Sequence, residues 1–285
     1  MNNASSRNDD QSALWNGTAG QAWVTAQTLL DQMFQPFEQL LTDSLAPDSH
    51  VLDIGCGTGA TTLAAARRLD TSGSCAGIDI SGPMITAARI RAEREGLAAN
   101  FICADAQTYT FDNTAFDTII SRFGVMFFAD PVRAFTNVRD ATRGDATLRC
   151  LAWRSTQENP FMTTAERVAA PLLPGLPVRK TNAPGQFAFA ERERVFDILS
   201  ASGWRDIDIA AIDVPCRFPA RELIRYLTEL GPVGQYLRTQ DAHTVDRIVN
   251  TLLPAFQSFV HGDEVRYVAA CWLISARSPA ARSLR

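Results

Sequence analysis

VLDIGCGTG, residues 51–59, is the segment that decides the fold of this chain of 285 residues. Asp53 lies within an apolar run typical of a strand, and alternating glycines follow directly. Glycine allows positive φ angles and has no Cβ, so the backbone of such a turn can lie against a ligand. Residues 61–66, which are mostly alanine and threonine, predict a helix. The segment therefore predicts the first strand, turn and helix of an open α/β sheet, with a nucleotide site at the turn.

Two kinds of nucleotide site remain open at this point. Gly55, Gly57 and Ala60 satisfy the GxGxxG/A pattern of nicotinamide and flavin enzymes. A second strand over residues 74–80 contains Asp79 near its end, where a carboxylate can accept hydrogen bonds from ribose hydroxyls. Because both kinds of cofactor contain that ribose, Asp79 does not distinguish them.

The third strand distinguishes the two kinds of site. Residues 100–106 predict a short apolar strand in which Asp105 lies one βα unit beyond the ribose position, where it can accept the adenine amino group. A fourth strand follows over residues 116–121. The series Asp53, Asp79 and Asp105 resembles the class I S-adenosylmethionine-dependent methyltransferases, in which the corresponding positions hold the methionine, ribose and adenine parts of the cofactor.

The charge of the cofactor favours the same resemblance. S-Adenosylmethionine has no pyrophosphate, and it ends in an ammonium and a carboxylate beside a positively charged sulfonium. Asp53 would repel a pyrophosphate but would attract the ammonium, directly or through water. The resemblance covers residues 47–154. More loosely it includes Trp15 and Trp23, which are similar to the N-terminal cofactor cover of bacterial small-molecule methyltransferases related to the ubiquinone and menaquinone enzymes.

The resemblance implies a set of residues that bind S-adenosylmethionine and release S-adenosylhomocysteine as product, with no metal. They lie in the glycine turn, at or after the ends of the following strands, and in the N-terminal cover. The implied residues are Asp53, Gly55, Cys56, Gly57, Thr58, Gly59, Asp79, Ile80, Met84, Asp105, Ala106, Ser121, Arg122, Phe123, Trp15 and Trp23.

Two residues are candidates for a part in the reaction. Arg122 is a cation just past the fourth strand, and it either pairs with a carboxylate of cofactor or substrate or forms a structural ion pair. His243 lies in a predicted helical lid and is the candidate general base, with a solvated helix position as the alternative. A base is needed only if the methyl acceptor still carries its proton.

The order of the predicted elements is typical of an α/β protein. Strand and helix patterns alternate up to residue 153, and further strands are predicted over 207–214 and 265–276. The resemblance implies a Rossmann-like, doubly wound sheet of seven mostly parallel strands with helical lid insertions. We expect three regions: residues 1–46 as a helical cofactor cover, 47–154 as the cofactor-binding core, and 155–285 as the rest of the sheet with a substrate lid formed by the insertions 155–190 and 219–262.

Composition and charge disfavour several classes of partner. The net charge is −4 and Lys180 is the only lysine, so neither nucleic acid nor a membrane surface is expected as a partner. The six cysteines lie mostly inside predicted buried strands and form no CxxC pair, which predicts core thiols in a reducing cytoplasm. Residues 1–10 are polar and predict a frayed terminus without a signal peptide. We therefore expect a cytoplasmic protein that acts on a small molecule, and the oligomeric state stays open.

The expected function is transfer of a methyl group to an O, N or C nucleophile of a small, partly apolar metabolite by in-line displacement. Phe123 and residues 126–128 predict an apolar rim for an aromatic or lipid-like acceptor, or simply part of the core. Two other enzyme classes stay open. One is an enzyme of the same fold that attacks another carbon of the cofactor, as in an intramolecular cyclisation, and the other is an NAD(P)-dependent oxidoreductase.

Overall fold

A computed structural model describes residues 3–111, 115–180 and 183–280 of the chain. The described part contains one sheet with seven long strands and one short strand. The strands are β1 (His50–Ile54), β2 (Ser74–Asp79), β3 (Asn100–Cys103), β4 (Phe116–Arg122), β5 (Thr142–Trp153), β6 (Arg205–Pro219), β7 (Val260–His261) and β8 (Glu264–Arg277).

The strand order in the sheet is β3-β2-β1-β4-β5-β8-β6, and the two-residue β7 pairs with β8. Strands β1 to β5 are parallel to one another, whereas β8 runs antiparallel to both β5 and β6. The predicted doubly wound, mostly parallel sheet is therefore confirmed. Because β1 to β5 are parallel, their carboxyl ends meet at one edge, where an open α/β sheet binds its ligands.

Helices cover the sheet and form the additions before and after the core. In the described ranges, three α-helices precede the sheet, three connect the parallel strands, and five follow β5. The helices are α1 (Asn3–Asn16), α2 (Thr18–Thr25), α3 (Gln27–Thr42), α4 (Ala60–Ala66), α5 (Gly82–Glu95), α6 (Pro131–Asp140), α7 (Pro160–Ala169), α8 (Arg192–Ala201), α9 (Leu223–Glu229), α10 (Gly231–Leu237) and α11 (Ala242–Phe256).

Helix α3 shows how the apolar pattern positions the helices before the sheet. Its residues Leu29, Leu30, Met33, Phe37 and Leu41 follow helical spacing and are all buried. They belong to the main hydrophobic core, together with residues of the central strands and of the helices after β5. This packing holds α3 against the sheet beside the carboxyl ends of the strands.

The first helix differs from the sequence-based expectation. A frayed terminus was expected over residues 1–10, but α1 begins at Asn3. The prediction failed because α1 has almost no apolar stripe of its own, so its residues carry no helical periodicity. Tertiary contacts hold its carboxyl end instead: the backbone oxygen of Trp15 accepts a hydrogen bond of 2.6 Å from the Ser81 hydroxyl, and the Trp15 ring packs on Phe127.

The segments after β5 form a helical layer with its own aromatic core. The Phe161 ring of α7 stacks on Tyr267 of β8 at a centroid distance of 4.1 Å, and it contacts Phe256 of α11 edge-on at 5.5 Å. The Phe218 ring of β6 lies 5.9 Å away from that of Phe161. This core fixes α7 and α11 over the antiparallel end of the sheet. None of the helices in the described ranges combines the length and apolar character needed to cross a membrane.

Two glycines allow the turn after β1 to touch the turn after β4. A Cβ at Gly124 would lie 2.5 Å from the Ile54 oxygen and 2.7 Å from the Gly55 Cα, and a Cβ at Gly55 would lie 2.6 Å from the Gly124 Cα. Gly55 also has a φ of +67°, which favours glycine. The two turns therefore need glycine at both positions to form one continuous floor.

Gly124→Ala tests this close approach, because the φ of Gly124 is an ordinary −81° and only space is at issue. We expect the free energy of unfolding, measured by urea denaturation, to fall by about 1–3 kcal/mol, since the neighbouring backbone cannot give way easily. Gly96→Ala is the control, because its Cβ would meet no atom within 4 Å although φ is +65°. A smaller loss at Gly124 than at Gly96 would contradict the interpretation.

Candidate functional site

A cavity of about 770 Å³ opens at the carboxyl ends of the parallel strands. Strand ends and their following turns form its floor, the N-terminal helices form one wall, and α7, α9, α10 and the loop before α8 form the other. Many of the predicted cofactor-binding residues line this cavity. They are Gly55, Gly57, Asp79, Ile80, Met84, Asp105, Ala106, Arg122, Phe123, Trp15 and Trp23.

Asp79 at the end of β2 lies on the cavity wall, and backbone amides hold both of its carboxylate oxygens. One carboxylate oxygen accepts a 2.8 Å hydrogen bond from the Gly57 amide, and the other accepts a 2.8 Å bond from the Ser81 amide. Burial raises the pKa of Asp79, while the hydrogen bonds from Ser81 and Gly57 oppose that increase. Each carboxylate oxygen keeps a lone pair for a ligand, because a carboxylate can accept about four hydrogen bonds.

Asp53 of β1 lies behind the cavity wall, and only one of its oxygens has a protein partner. Its Oδ2 atom accepts a 2.7 Å hydrogen bond from the Thr62 hydroxyl, whereas Oδ1 is buried without a partner among the described residues. Burial is the largest influence and raises the pKa of Asp53 to about 7; the Thr62 hydrogen bond opposes it. A buried carboxylate with an unused acceptor atom favours a cationic or hydrogen-bonding group nearby.

Asp105 follows β3 and faces the cavity from a tight turn. Its Oδ1 atom accepts a 2.9 Å hydrogen bond from the Gln107 amide, and its Oδ2 atom accepts a 3.3 Å bond from the Thr108 hydroxyl. The turn holds the carboxylate in one orientation beside Ala106, which also lines the cavity.

The end of α1 is tied to the turn that follows Asp79. The Asn16 side chain donates a 3.0 Å hydrogen bond to the Ile80 oxygen and accepts a 2.9 Å bond from the Gly82 amide. The ring of the preceding residue, Trp15, packs edge-on against Trp23 at 5.8 Å. These contacts place both tryptophans on the cavity wall beside the strand ends.

Arg122 forms the structural ion pair that was one of its two predicted roles. Its Nη1 atom lies 3.3 Å from Glu38 Oε1 of α3, and the side chains are only 11% and 20% exposed. The guanidinium also lies over the Phe34 ring, 5.6 Å from the centroid. Since Arg122 lines the cavity as well, the pair with Glu38 forms part of the wall.

Phe123 lies between this wall and the apolar part of the cavity, which forms an aromatic chamber. Its φ is +64°, an uncommon value for a residue with a side chain, and its ring stacks on Trp153 at 4.4 Å. Phe34 packs against the Phe123 ring at 5.6 Å. Other apolar or aromatic residues complete the chamber, namely Leu30, Met33, Met126, Phe127, Phe128, Met162, Leu227, Leu230, Val233, Tyr226 and Tyr236.

The loop between α7 and α8 closes the chamber with an ion pair. Arg179 of the loop binds both carboxylate oxygens of Glu166 in α7, with a distance of 2.8 Å from Nε to Oε2. Its guanidinium also covers the Phe187 ring at 4.8 Å. Glu166 and Arg179 both line the cavity, so the chamber has charged groups at its roof as well as at its floor.

Several predicted cofactor-binding residues do not line the cavity. Besides Asp53, these are Cys56, Thr58, Gly59 and Ser121, all of which lie behind the wall.

Their contacts explain these positions. Cys56 packs on Gly77, whose Cβ would approach its sulfur to 2.8 Å. The Ser121 hydroxyl donates to the Ile54 oxygen at 2.7 Å and accepts from the Gly124 amide at 3.2 Å. These side chains shape the turns instead of facing the cavity.

His243 is not brought to the cavity. It is exposed in the first turn of α11 and is absent from the residues that line the chamber. The helical prediction for its segment was correct, but the apolar face of α11 packs inward through Ile248, Leu252 and Phe256, which turns residue 243 outward. The geometry assigns it no contact with a bound molecule.

Sequence reasoning missed three features of the site. These are the Asn16 tether, the Glu38 partner of Arg122 and the Glu166–Arg179 pair. Only Asn16 carried a local signal, because it adjoins the predicted Trp15. The two ion pairs join distant elements and have no recognisable spacing in the sequence.

Comparison with known proteins supports the same kind of site. Residues 51–145 match a family model described as a methyltransferase domain. The chain is 36% identical over 112 residues to aklanonic acid methyltransferase DauC of Streptomyces sp. strain C5, a match covering 38% of this chain and 51% of DauC. It is 32% identical over 109 residues to demethylmenaquinone methyltransferase of Lactiplantibacillus plantarum, covering 38% of this chain and 46% of the relative. The matched part thus spans about half the length of these curated relatives.

A solved structure extends the likeness in fold beyond that segment. The [4+2]-cyclase SpnF superposes with a TM-score of 0.54 at 17% identity, covering 92% of this chain and 95% of SpnF. At that identity the likeness shows the fold alone. Together with the acids at the ends of β1 and β2 and after β3, the family match shows that residues 51–145 belong to a class I S-adenosylmethionine-dependent methyltransferase domain.

Proposed function

We propose that this protein transfers a methyl group from S-adenosylmethionine to an O, N or C nucleophile of a small, partly apolar metabolite. One observation carries the proposal: a single cavity joins the acid-bearing strand ends to an aromatic chamber. The first part suits a nucleoside with a cationic tail, and the second suits an apolar acceptor.

The floor of the cavity fits the nucleoside part of the cofactor. A Cβ at Gly57 would have only Met84 Sδ within 4 Å, at 3.8 Å, so the missing side chain leaves a cradle for a ligand. Beside it, Asp79 has acceptor capacity for ribose hydroxyls, and Asp105 has the same capacity for the adenine amino group.

The charge behind the floor fits the amino-acid part. Oδ1 of Asp53 is buried without a partner in the part of the chain that the structure describes, and an ammonium, bound directly or through water, would supply one. Binding a cation would also favour the ionised carboxylate, which burial alone disfavours. We assign Gly55, Cys56, Thr58, Gly59 and Ser121 to shaping the turns that carry these acids.

When bound, S-adenosylmethionine supplies a methyl group already activated by its positive sulfur. The protein therefore contributes mainly orientation and exclusion of water. Trp15 and Trp23 form a wall beside the strand ends, and Phe123 and Trp153 form a rigid stacked surface after β4 and β5. Fixed orientation of two reactants can lower a barrier by about 7 kcal/mol or more.

The division of the chain follows from these roles. We propose that residues 1–46 form the cofactor cover, that 47–154 form the cofactor-binding core, and that 155–285 complete the sheet and supply the substrate lid. Asn16 and Ser81 join the cover to the core, whereas Glu166 and Arg179 join two parts of the lid over the chamber.

The names of the relatives favour a metabolite such as a quinone or polyketide as acceptor.

A second candidate function is attack on another carbon of the cofactor, as in an intramolecular cyclisation. The fold alone leaves this function open, since a protein named as a [4+2]-cyclase has a similar fold. The third class, an NAD(P)-dependent oxidoreductase, is disfavoured because Asp53 would oppose a pyrophosphate at the turn and because the family match is to methyltransferases.

Product analysis tests the proposal. Purified protein is incubated with S-adenosylmethionine alone and with phenols, amines, carboxylic acids and quinone precursors. We expect S-adenosylhomocysteine to form only when an acceptor is present. Formation of methylthioadenosine without an acceptor would instead establish chemistry at another carbon, and cofactor consumption in neither case would contradict the proposal.

Asp79→Asn should weaken the binding of S-adenosylhomocysteine by about tenfold or more, because hydrogen bonds to a charged group contribute about 1.5–3 kcal/mol each. Titration calorimetry measures the affinity. Asp117→Asn is the matched control: Asp117 also accepts backbone hydrogen bonds, from the His50 amide, but at the opposite edge of the sheet. Equal losses of affinity in the two variants would show that Asp79 has no specific role.

Asp53 should make the cofactor-free protein less stable as the pH rises. Its pKa is 3.8 as an ordinary group and about 7 in the fold, so the folded state holds the proton more tightly between these values. Stability from this proton is present at low pH and is lost as the pH rises through that range. In urea denaturation from pH 5 to pH 7.5, Asp53→Asn should therefore lose less stability than the wild type. Parallel curves would show that Asp53 titrates normally.

A further inference from the structure

The acceptor side of the cavity contains very few charged groups. Of the charged residues that line it, Asp79 and Asp105 lie at the strand ends, and Arg122 is paired with Glu38. Within the described chain, Glu166 and Arg179 are thus the charged groups that remain for an acceptor. Every other lid residue on the wall is apolar or neutral.

Among the described residues, no side chain on the lid side of this wall is free to act as a general base. The sequence has three histidines, and none lines the chamber: His243 is exposed on α11, His50 contacts Ser74 at the start of β1, and His261 borders a separate groove. Glu166 has both oxygens bound to Arg179. Burial raises the pKa of Tyr226, which keeps its hydroxyl protonated.

The lack of a base restricts the acceptor. A neutral alcohol or a protonated amine would need a group to take its proton as the new bond forms. An acceptor that is already an anion needs none: a lone pair of its oxygen forms the O–C bond to the methyl carbon, the electrons of the S–C bond return to sulfur, and no proton moves.

Arg179 is suited to attract such an anion. Its Nε and Nη2 atoms bind Glu166, and Nη2 also donates to Gln186 Oε1 at 3.2 Å, but its Nη1 atom has no acceptor in the described parts of the chain. The stacked Phe187 ring holds the guanidinium plane at the roof of the chamber. Arginine binds planar oxyanions more strongly than neutral oxygens.

We propose that the methyl acceptor is an aromatic molecule that is already an anion at neutral pH, a carboxylic acid or a comparably acidic hydroxyl compound, and that Arg179 recognises its charge. The aromatic part is inferred from the rings that line the chamber, among them Phe34, Phe127 and Trp153. This inference rests on the proposed methyltransferase function and specifies the substrate class for the same site.

A binding experiment with two isosteric probes tests the inference. Anthraquinone-2-carboxylate and 2-(hydroxymethyl)anthraquinone are titrated separately into protein saturated with S-adenosylhomocysteine, and calorimetry gives both affinities. We expect the acid to bind at least about tenfold more tightly than the alcohol, because hydrogen bonds to charged groups are the stronger ones. Arg179→Met should remove this preference and leave the affinity for the alcohol within about twofold.

Lys180→Met is the matched control, because Lys180 is the next residue, carries the same charge, is exposed and does not line the cavity. It should keep the full preference for the acid. Equal binding of the two probes to the wild type, no binding of the acid, or an unchanged preference in Arg179→Met would each overturn the inference. The prior titration of S-adenosylhomocysteine separates these results from failure of the proposed function, since loss of that binding would contradict the function itself.

Discussion

The carboxylate of Asp79 is the interaction on which the rest of the site depends. Its two oxygens accept hydrogen bonds from the amides of Gly57 and Ser81, so one side chain joins the turn after β1 to the turn after β2. The hydroxyl of Ser81 then binds the Trp15 oxygen, and Asn16 holds Ile80 and Gly82. A single buried charge thereby fixes the relative positions of the glycine turn, the ribose position and the N-terminal helix.

Placing acids at the end of a buried sheet has an energetic cost. Burial raises the pKa values of both Asp53 and Asp79, and one oxygen of Asp53 has no partner among the described residues. A fold retains such groups when a ligand offsets their desolvation, and perturbed carboxylates in a cavity are typical of functional sites. The floor of this cavity is therefore less stable without a ligand than an apolar floor would be, and its stability is linked to binding.

The walls and roof of the cavity follow a different principle from its floor. Most of their residues are aromatic or apolar, and their charges are paired, Glu38 with Arg122 in the wall and Glu166 with Arg179 at the roof. Paired charges in a partly buried wall stay ionised without attracting much water, so the chamber remains suited to an apolar molecule. The exception is Nη1 of Arg179, which has no acceptor among the described residues and is the basis for proposing an anionic acceptor.

Much of the core could be predicted from the sequence, because its features are local. A strand, a glycine turn and a helix follow one another within residues 51–66. Asp79 ends the next strand, and Asp105 follows the strand after that. Parallel strands necessarily bring their carboxyl ends to one edge, so the spacing of these acids in the chain becomes proximity in space. The strand and helix segments beyond residue 155 were also predicted, since their apolar periodicity is strong.

Tertiary structure alone decided what those elements enclose. Glu38 and Arg122 are 84 residues apart, and Asn16 and Ile80 are 64 apart, so no local pattern links them. The helical character of α1 depends on contacts made at its end, and the exposed position of His243 depends on which face of α11 packs inward. The sequence by itself determined the sheet, the glycine turn and the order of the acids through short-range geometry. The cavity wall, its ion pairs and the position of the three histidines away from that wall were decided only when packing brought distant segments together, because side-chain partners across a cavity depend on the whole core.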